Sequence, residues 1–186
     1  MKIGKLFFLL AVIFCMLGVV PAFSQNQVPQ TQDTQQTVEL PGDLLIKIPE
    51  GFTMTSHDGN TYMFSSDSDA VVLTIYYNTI DKVEPGLNVK DEKVLDNVVD
   101  SFEQELQKNN KTFKITDRKK KVMDDGAVVA FSGQMVLDGT NVTANVSQVV
   151  MFIGNNMYSF GMVCPENLYE KYSSVFESFI GGLSNK

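Results

Sequence analysis

The stretch that decides the fold is residues 120–153, KKVMDDGAVVAFSGQMVLDGTNVTANVSQVVMFI. Two Asp-Gly dipeptides, Asp125-Gly126 and Asp138-Gly139, divide it into runs that are rich in β-branched and aromatic residues. Asp-Gly favours the positive φ angles of tight hairpin turns, so the runs are predicted to be consecutive antiparallel strands. The runs TFKITDR and MYSFGMV, which lie before and after this stretch, are predicted to extend the meander. Gly154-Asn155-Asn156 is predicted to be the turn that leads into MYSFGMV.

The last strand of the quoted stretch changes character along its length. Apolar residues first alternate with Thr143, Asn145 and Ser147. A period of two is typical of a strand with one wet face, so these polar side chains are predicted to point to solvent. Beyond Gln148 the run VVMFI is wholly apolar and predicts a segment in the centre of the sheet.

Three further strand signals precede this meander. The run LLIKIPEGF alternates apolar and other residues before the breaker Pro49-Glu50-Gly51. Asp58-Gly59 then lies between two strand-like runs and predicts another hairpin. The run AVVLTIYYN at 70–78 is almost continuously apolar, which predicts a strand buried on both faces and the central strand of the sheet.

Two segments have the period of an amphipathic helix. Residues 91–108 begin with acidic side chains, which suit a helix N-terminus, and Asn109-Asn110 mark the end. The second helix follows Pro165 and ends at Gly181-Gly182. Each helix carries one apolar stripe, formed by Val94, Leu95, Val98, Val99, Phe102 and Leu106 in the first and by Leu168, Tyr172, Val175, Phe176, Phe179 and Ile180 in the second.

The predicted order is therefore strands, helix, strands, helix, with hairpins in place of βαβ crossovers. This order predicts an α+β fold in which an antiparallel sheet of about six to eight strands is packed by two amphipathic helices. Because the central strands are apolar on both faces, the helices are expected to cover both sides of the sheet as an α/β/α sandwich.

These elements together resemble the PsbP-like family of α/β/α sandwiches, which includes the extrinsic photosystem II subunit and DcrB-type bacterial envelope proteins. The resemblance runs from about Val38 to Leu183 and is carried by LLIKIPEGF, AVVLTIYY, VLDNVVDSFEQEL and YEKYSSVFESF in that order. It implies a binding or assembly module without a catalytic motif, so no site residue is transferred from the family.

The N-terminal residues 1–24 have the three regions of a signal peptide. MKIGK supplies two lysines, residues 6–20 are apolar or glycine, and Ala22-Phe23-Ser24 places small residues before a cut at Gln25. An uncleaved membrane anchor is the alternative, but a span needs about 20 apolar residues and Pro21 arrives early. We therefore expect an exported protein, periplasmic or secreted, with no stable membrane span after cleavage.

The remaining chain is predicted to hold a short lead and one domain. Residues 25–37 are rich in Gln and Thr and are expected to be a flexible lead. Residues 38–186 are long enough for a single PsbP-like α+β domain with its own core. Loss of Lys2 and Lys5 with the signal leaves 13 of the 15 basic side chains against 22 acidic ones, a formal charge of −9. Such an acidic chain is not expected to bind nucleic acid.

Cys164 is the strongest candidate for a catalytic residue. With Cys15 in the signal segment it is left without an intrachain disulfide partner, and it begins the second helix, where partial positive charge stabilises a thiolate. The alternative is a buried structural thiol, which is favoured because the chain has a single histidine, His57, to act as base. Pro165 also supplies no N–H to an oxyanion hole.

Three other motifs are read as structural. Asp58, Asp67 and Asp69 could bind Ca²⁺ weakly, but the EF-hand spacing is missing and turn acids are favoured. The basic run Arg118–Lys121 is predicted to guard an edge strand, with the helix acids left solvated. The sequons begin at Asn110, Asn141 and Asn145, the last two with side chains expected on a wet strand face.

The sequence therefore assigns no catalytic, cofactor-binding or metal-binding residue and implies no cofactor. The function predicted is an exported, non-enzymatic binding or assembly module of the cell envelope or extracellular space, with a protein partner. An apolar small-ligand (lipid-like) binding protein is the alternative, because Met and aromatic residues are frequent in the last strands. A thiol-dependent enzyme using Cys164 is the remote alternative.

Overall fold

The structure is a computed structural model, and it describes residues 36–83 and 85–185. These residues form a seven-stranded antiparallel sheet, a smaller three-stranded sheet, and helices on both sides of the large sheet. The α+β class and the sandwich architecture predicted from the sequence are confirmed. The predicted signal peptide and most of the predicted lead fall outside the described residues.

The strands are numbered in chain order. They are β1 (Thr37–Leu40), β2 (Leu44–Lys47), β3 (Phe52–Asp58), β4 (Thr61–Ser66), β5 (Val72–Thr79), β6 (Lys114–Met123), β7 (Gly126–Val136), β8 (Thr143–Ile153), β9 (Asn156–Pro165) and β10 (Ser184–Asn185). The helices are the single turn α1 (Ile80–Val83), then α2 (Glu92–Asn109) and α3 (Tyr169–Gly181), which a 3₁₀ turn at Glu166–Leu168 precedes.

The large sheet has the order β3-β4-β5-β9-β8-β7-β6, and the small sheet has the order β1-β2-β10. The middle strand of the large sheet is β9, so the prediction that β5 is the central strand is wrong by one position. Both strands are interior, and both are almost continuously apolar. Apolar content identifies interior strands, but it does not rank them, because β5 and β9 both contribute side chains to the apolar layers on the two sides of the sheet.

The hairpin turns follow the glycines with one exception. Gly59, Gly139 and Gly154 adopt the predicted positive φ angles of +54°, +72° and +56°. Gly126 does not: it is the first residue of β7, and the preceding turn is Asp124-Asp125. A Cβ at Gly126 would lie 1.8 Å from the carbonyl oxygen of Phe152 on β8, so this glycine permits a close approach of two strands.

Both predicted amphipathic helices are present. Asp91 caps α2, because its side chain accepts a hydrogen bond from the backbone N–H of Lys93 at 2.9 Å. In α3 the residues that pack inward are Tyr172, Phe176 and Phe179, each 5% exposed or less. The two helices lie on opposite faces of the large sheet, since each belongs to a different apolar cluster.

The core is thus two apolar layers that share one sheet. The layer under α2 contains Leu95, Val98, Phe102, Phe131 and Phe152, among others. The layer under α3 contains Phe64, Ile75 and Phe160, and the small sheet closes it with Leu40 and Ile46. The small sheet was not anticipated as a separate unit, because its strands have only four, four and two residues.

A hydrogen bond from β9 links the small sheet to the middle of the large one. The Tyr158 hydroxyl on β9 donates to the carbonyl oxygen of Pro41 at 2.5 Å, at the turn between β1 and β2. Gly42 and Asp43 follow in that turn with positive φ angles of 79° and 58°. In the described part of the chain, no helix has the length and apolar character needed to cross a membrane.

Candidate functional site

Cys164 is a core residue. It lies near the end of β9 and is 1% exposed, within the apolar layer under α3. Burial raises the pKa of the Cys164 thiol to about 11. The thiol is therefore protonated at neutral pH. Helix α3 begins at Tyr169, five residues after Cys164, so the cysteine is not the first residue of the helix. The interpretation of Cys164 as a packed structural thiol agrees with this environment.

The structure does not bring His57 to Cys164. His57 is exposed on the edge strand β3, where its ring stacks on Tyr62 with 4.1 Å between the ring centroids. Its Nε2 atom lies 3.2 Å from the carbonyl oxygen of Gly59. Two strands separate β3 from β9, which corresponds to a distance of about 14 Å across the sheet. The sole histidine is therefore too far away to activate the thiol.

The three acids considered for Ca²⁺ each have another role or place. Asp67 accepts a hydrogen bond from Thr53 at 2.7 Å, and Asp58 ends β3 at the hairpin. Asp69 accepts from Lys171 at 2.7 Å and from Tyr172 at 2.6 Å, which lowers the pKa of the Asp69 carboxyl. Within the described ranges, no three His, Cys, Asp or Glu side chains are grouped so that they could hold a metal ion.

The basic run lies on β6, an edge strand of the large sheet, as predicted. The runs TFKITDR and KKVM form this one strand, which has a bulge between Ile115 and Asp117. The helix acids expected to be merely solvated are in fact paired with it. Arg118 contacts Asp100 at 2.5 Å and Glu103 at 2.6 Å, and this pairing raises the pKa of Arg118.

Lys120, two residues after Arg118 on β6, also pairs with carboxylates of α2. Its Nζ atom lies 2.8 Å from Asp96 and 3.3 Å from Glu92, and the hydrogen bond with Asp96 is the main cause of its raised pKa. Helix α2 therefore presents a row of carboxylates to alternate side chains of the edge strand. This arrangement follows from two periods, four residues along the helix and two along the strand.

The wet face predicted for the beginning of β8 is wrong. Asn145 and Ser147 are 8% and 7% exposed. Asn145 accepts a hydrogen bond from the Gln134 side chain at 3.1 Å, and the Ser147 hydroxyl lies 3.3 Å from that of Tyr169. The start of α3 covers this end of the strand, so these polar groups are satisfied inside the protein rather than by water.

The sequons differ in accessibility for the same reason. Asn145 is buried, and Asn110 is only 3% exposed. The side-chain amide of Asn110 donates a hydrogen bond to the carbonyl oxygen of Val136 at 2.7 Å, inside the protein. Asn141 is exposed, in the turn before β8. The prediction that the side chains of both Asn141 and Asn145 lie on a wet strand face is therefore wrong.

The two faces of β7 and β8 are covered unequally. On the α2 side, Ala127, Val129, Val150 and Phe152 are 1% exposed or less. On the α3 side, beyond the buried Asn145 and Ser147, the alternate residues of the same strands are only half-buried. We call this half-buried apolar surface the open face, and it consists of Val128, Ala130, Val149, Met151 and Ile153.

A groove runs where the open face meets α3. Its volume is about 240 Å³, and its walls come from β6 and from α3. The groove is apolar along Ala130, Val149, Phe176 and Ile180, and hydroxyl groups and charges border it. The hydroxyl groups are those of Ser132, Ser147, Tyr169 and Ser173, and the charges are those of Asp117, Lys119 and Glu177.

The α2 side of the same strands is closely packed. The void between α2 and the sheet near Phe102 and Gly161 has a volume of about 10 Å³, roughly the space of one water molecule. The open groove is therefore the candidate site. Sequence reasoning did not assign it, although Ser132 and Gln134 on alternate positions of β7 already marked that face as the more polar one.

The comparisons with known proteins concern this same fold. No protein-family model matches the sequence, and no curated protein matches it either. The cyanobacterial PsbP protein (CyanoP) from Synechocystis sp. PCC 6803 has a similar structure, with a TM-score of 0.64 and 14% sequence identity. The alignment covers 89% of this chain and 99% of that one.

Two further solved structures are similar over most of this chain. A Pseudomonas aeruginosa protein of unknown function, PA94, has a TM-score of 0.51 at 14% identity, with 82% of this chain and 97% of that chain covered. A Bacteroides thetaiotaomicron protein has a TM-score of 0.50 at 12% identity, with 82% of this chain but only 48% of that chain covered. The chain therefore has the PsbP-like fold that its sequence resembles.

Proposed function

We propose that this chain is an exported, non-enzymatic binding module that docks a protein partner on its open face. The observation that carries the proposal is the unequal covering of one pair of strands. The side chains of β7 and β8 that face α2 are buried, whereas the apolar side chains of the open face are only half-buried. The open face adjoins the groove beside α3. Apolar surface left in this way, with a polar rim, is typical of an interaction site.

The shape of the groove favours a protein over a small molecule. Ligand pockets usually measure about 300–1,000 Å³ and enclose most of the ligand. The groove measures about 240 Å³, and it is bounded by only two walls, β6 and α3. A protein partner gains affinity from a large contact area rather than from enclosure. The open face supplies such an area, because it continues the apolar floor of the groove along β7 and β8.

The alternative is an apolar small-ligand binding protein that uses the same surface. It is supported by the methionine and aliphatic side chains of β8, notably Met151 and Ile153, which are half-buried. A lipid-like molecule would leave much of its surface exposed in a groove of this volume. We therefore rank a protein partner first.

Export is the second part of the proposal. It is supported by the order of the charged, apolar and small residues in positions 1–24, which suits a cleaved signal peptide. The absence of an intrachain disulfide does not oppose export, because two apolar layers on one sheet supply a core of ordinary size. The expected location is the periplasm or the extracellular space.

Site-specific photo-crosslinking tests the docking surface. A benzophenone side chain at Lys121, on the rim of the open face, is expected to crosslink a discrete partner in the cells that produce the protein. The matched control is the same group at Lys93, which is exposed on the outer side of α2. Equal crosslinking at both positions, or crosslinking at Lys93 alone, would contradict the proposal.

Two glutamate substitutions give an independent test of the same surface. Val128→Glu on the open face is expected to abolish the crosslink from Lys121. Val122→Glu is the matched control, since Val122 is 38% exposed on the neighbouring strand β6 and faces α2. Cleavage before Gln25, read by N-terminal sequencing of the mature protein, tests export separately.

A further inference from the structure

Edge strand β6 sends its cations to two different faces. Arg118 and Lys120 point towards α2 and are paired with carboxylates there. Lys119 and Lys121 alternate with them and therefore point to the opposite face, where the open face lies. The basic run is thus two rows, and only one of them is explained by the packing of α2.

The second row of cations is poorly neutralised. Lys119 lies 3.3 Å from Asp117, and both side chains are mostly exposed, at 79% and 57%. Among residues 36–83 and 85–185, Lys121 forms no salt bridge. The chain as a whole is acidic, with a formal charge of −7. Lys121, and Lys119 with its exposed ion pair to Asp117, are therefore a local exception to the overall charge beside an apolar surface.

The pairing of the strands places each lysine at the end of an apolar row. Lys119 is paired with Ala130, which is paired with Val149. Lys121 is paired with Val128, which is paired with Met151. Neighbouring strands are about 4.8 Å apart, so the apolar side chains of each row lie roughly 5 and 10 Å from the lysine.

This spacing fits a particular kind of partner segment. On a helix, residues three and four apart are about 5–6 Å from each other, so a carboxylate and an apolar side chain can lie side by side. Glu177 on α3 faces the groove from the other wall. It disfavours acidic side chains on that side, and Asp117 disfavours them at the near end of β6. The carboxylates of a partner are therefore directed further along β6, towards Lys119 and Lys121.

We propose that the partner segment bound on the open face is an acidic amphipathic helix. Its carboxylates pair with Lys119 and Lys121, and its apolar side chains cover the open face. The inference rests on the proposed function, because it names the chemistry of the partner that docks there. Burial of the apolar rows supplies the affinity, and the two lysines set the preference for acidic over basic segments.

Two synthetic helical peptides of about 18 residues test the preference. Both carry the same leucine face, and the polar face is Glu in one and Lys in the other. Chemical shifts of the Val128, Ala130, Val149 and Met151 methyl groups are followed during titration of the mature chain. The Glu peptide is expected to shift these methyl signals and to bind roughly tenfold more tightly than the Lys peptide.

Charge reversal gives the decisive comparison. Lys119→Glu combined with Lys121→Glu is expected to invert the preference between the two peptides. The control, Lys82→Glu combined with Lys93→Glu, changes the net charge equally at exposed positions away from the open face and is expected to leave the preference unchanged. Amide spectra of the two double variants establish that both are folded.

Three results would overturn the inference. Equal binding of both peptides to the open face would refute the acidic preference and leave the proposed docking surface standing. Methyl shifts with sodium oleate but with neither peptide would identify the surface as a small-ligand site. An unchanged preference in the charge-reversed variant would show that Lys119 and Lys121 do not select the partner.

Discussion

Cys164 illustrates how the environment of one atom decides its chemistry. The thiol lies at the point where a strand gives way to a helix, a position that could favour the thiolate. Desolvation opposes this, because the side chain is 1% exposed among apolar neighbours, and the pKa rises to about 11. Burial is therefore the larger effect at this corner.

The raised pKa predicts a specific loss of stability in alkali. An unfolded cysteine ionises near pH 9, whereas the folded one holds its proton until about pH 11. The contribution is fully present below pH 9 and is lost as the pH rises through 11, on the order of 3 kcal/mol. Guanidinium unfolding at several pH values should show this fall in the native chain and a shallower one in Cys164→Ala. Parallel curves would contradict the assignment.

The same burial predicts that the thiol is protected from reagents. At pH 8, iodoacetamide is expected to modify Cys164 only after denaturant is added, with mass spectrometry as the readout. Rapid modification of the native protein at one site would mean that the corner of β9 opens easily. The result also bears on a thiol-dependent activity, because such an activity needs an accessible thiolate.

Gly161 is a second position where one atom matters. A Cβ there would lie 2.5 Å from the Thr74 hydroxyl and 2.8 Å from the side-chain oxygen of Gln148. Gly161→Ala is therefore expected to lower the free energy of unfolding by roughly 1–3 kcal/mol. Gly181→Ala is the control, because its Cβ would meet nothing within 4 Å and α3 gains a better helix former. Equal effects of the two substitutions would be inconsistent with crowding at Gly161.

At the scale of elements, α2 is held to the sheet by packing and by its carboxylate row. Arg118 and Lys120 each contact two of these carboxylates. The side chains are 24–71% exposed, so the Coulomb attraction is partly screened by solvent and each pair contributes little to stability. The row therefore orients the helix on the edge strand more than it stabilises the fold.

Because α2 pairs with only half of the cations on β6, substitutions of neighbouring cations on this strand are expected to have different effects on stability. Arg118→Ala with Lys120→Ala is expected to lower the free energy of unfolding measurably at low salt, and the loss should shrink in 1 M NaCl. Lys119→Ala with Lys121→Ala removes the same charge from the other face and is expected to change stability little. Urea unfolding at both salt concentrations makes the comparison, and equal losses for the two pairs would contradict the pairing with α2.

The elements themselves could be predicted where one period dominated the sequence. The stripes of α2 and α3 and the glycines at 59, 139 and 154 identified two helices and three turns. Asn145 and Ser147 were misread because a period of two shows which side chains share a face, but not what covers that face. Tyr169 covers it from a helix that is distant in sequence. The groove could not be predicted either, since it depends on how far α3 extends across the sheet.

At the scale of the whole molecule, two apolar layers share the strands of a single sheet. Each interior strand sends alternate side chains into the layer under α2 and the layer under α3. Neither layer can open without exposing one face of β5, β8 and β9. The sheet therefore couples the two layers, as expected if residues 38–186 form one domain.

This coupling predicts a single unfolding transition that responds to substitutions on either side of the sheet. Phe102→Ala under α2 and Phe176→Ala under α3 remove side chains that are 1% and 5% exposed. Each is expected to cost roughly 3–5 kcal/mol, and each should lower the midpoint reported by probes in both layers. Tyrosine fluorescence reports chiefly on the layer under α3, because five of the six tyrosines lie in it or pack against it and only Tyr76 lies in the layer under α2. Backbone circular dichroism follows the whole sheet. If Phe102→Ala shifted one signal and left the other in place, the two layers would unfold independently, and the sheet would join two units rather than one.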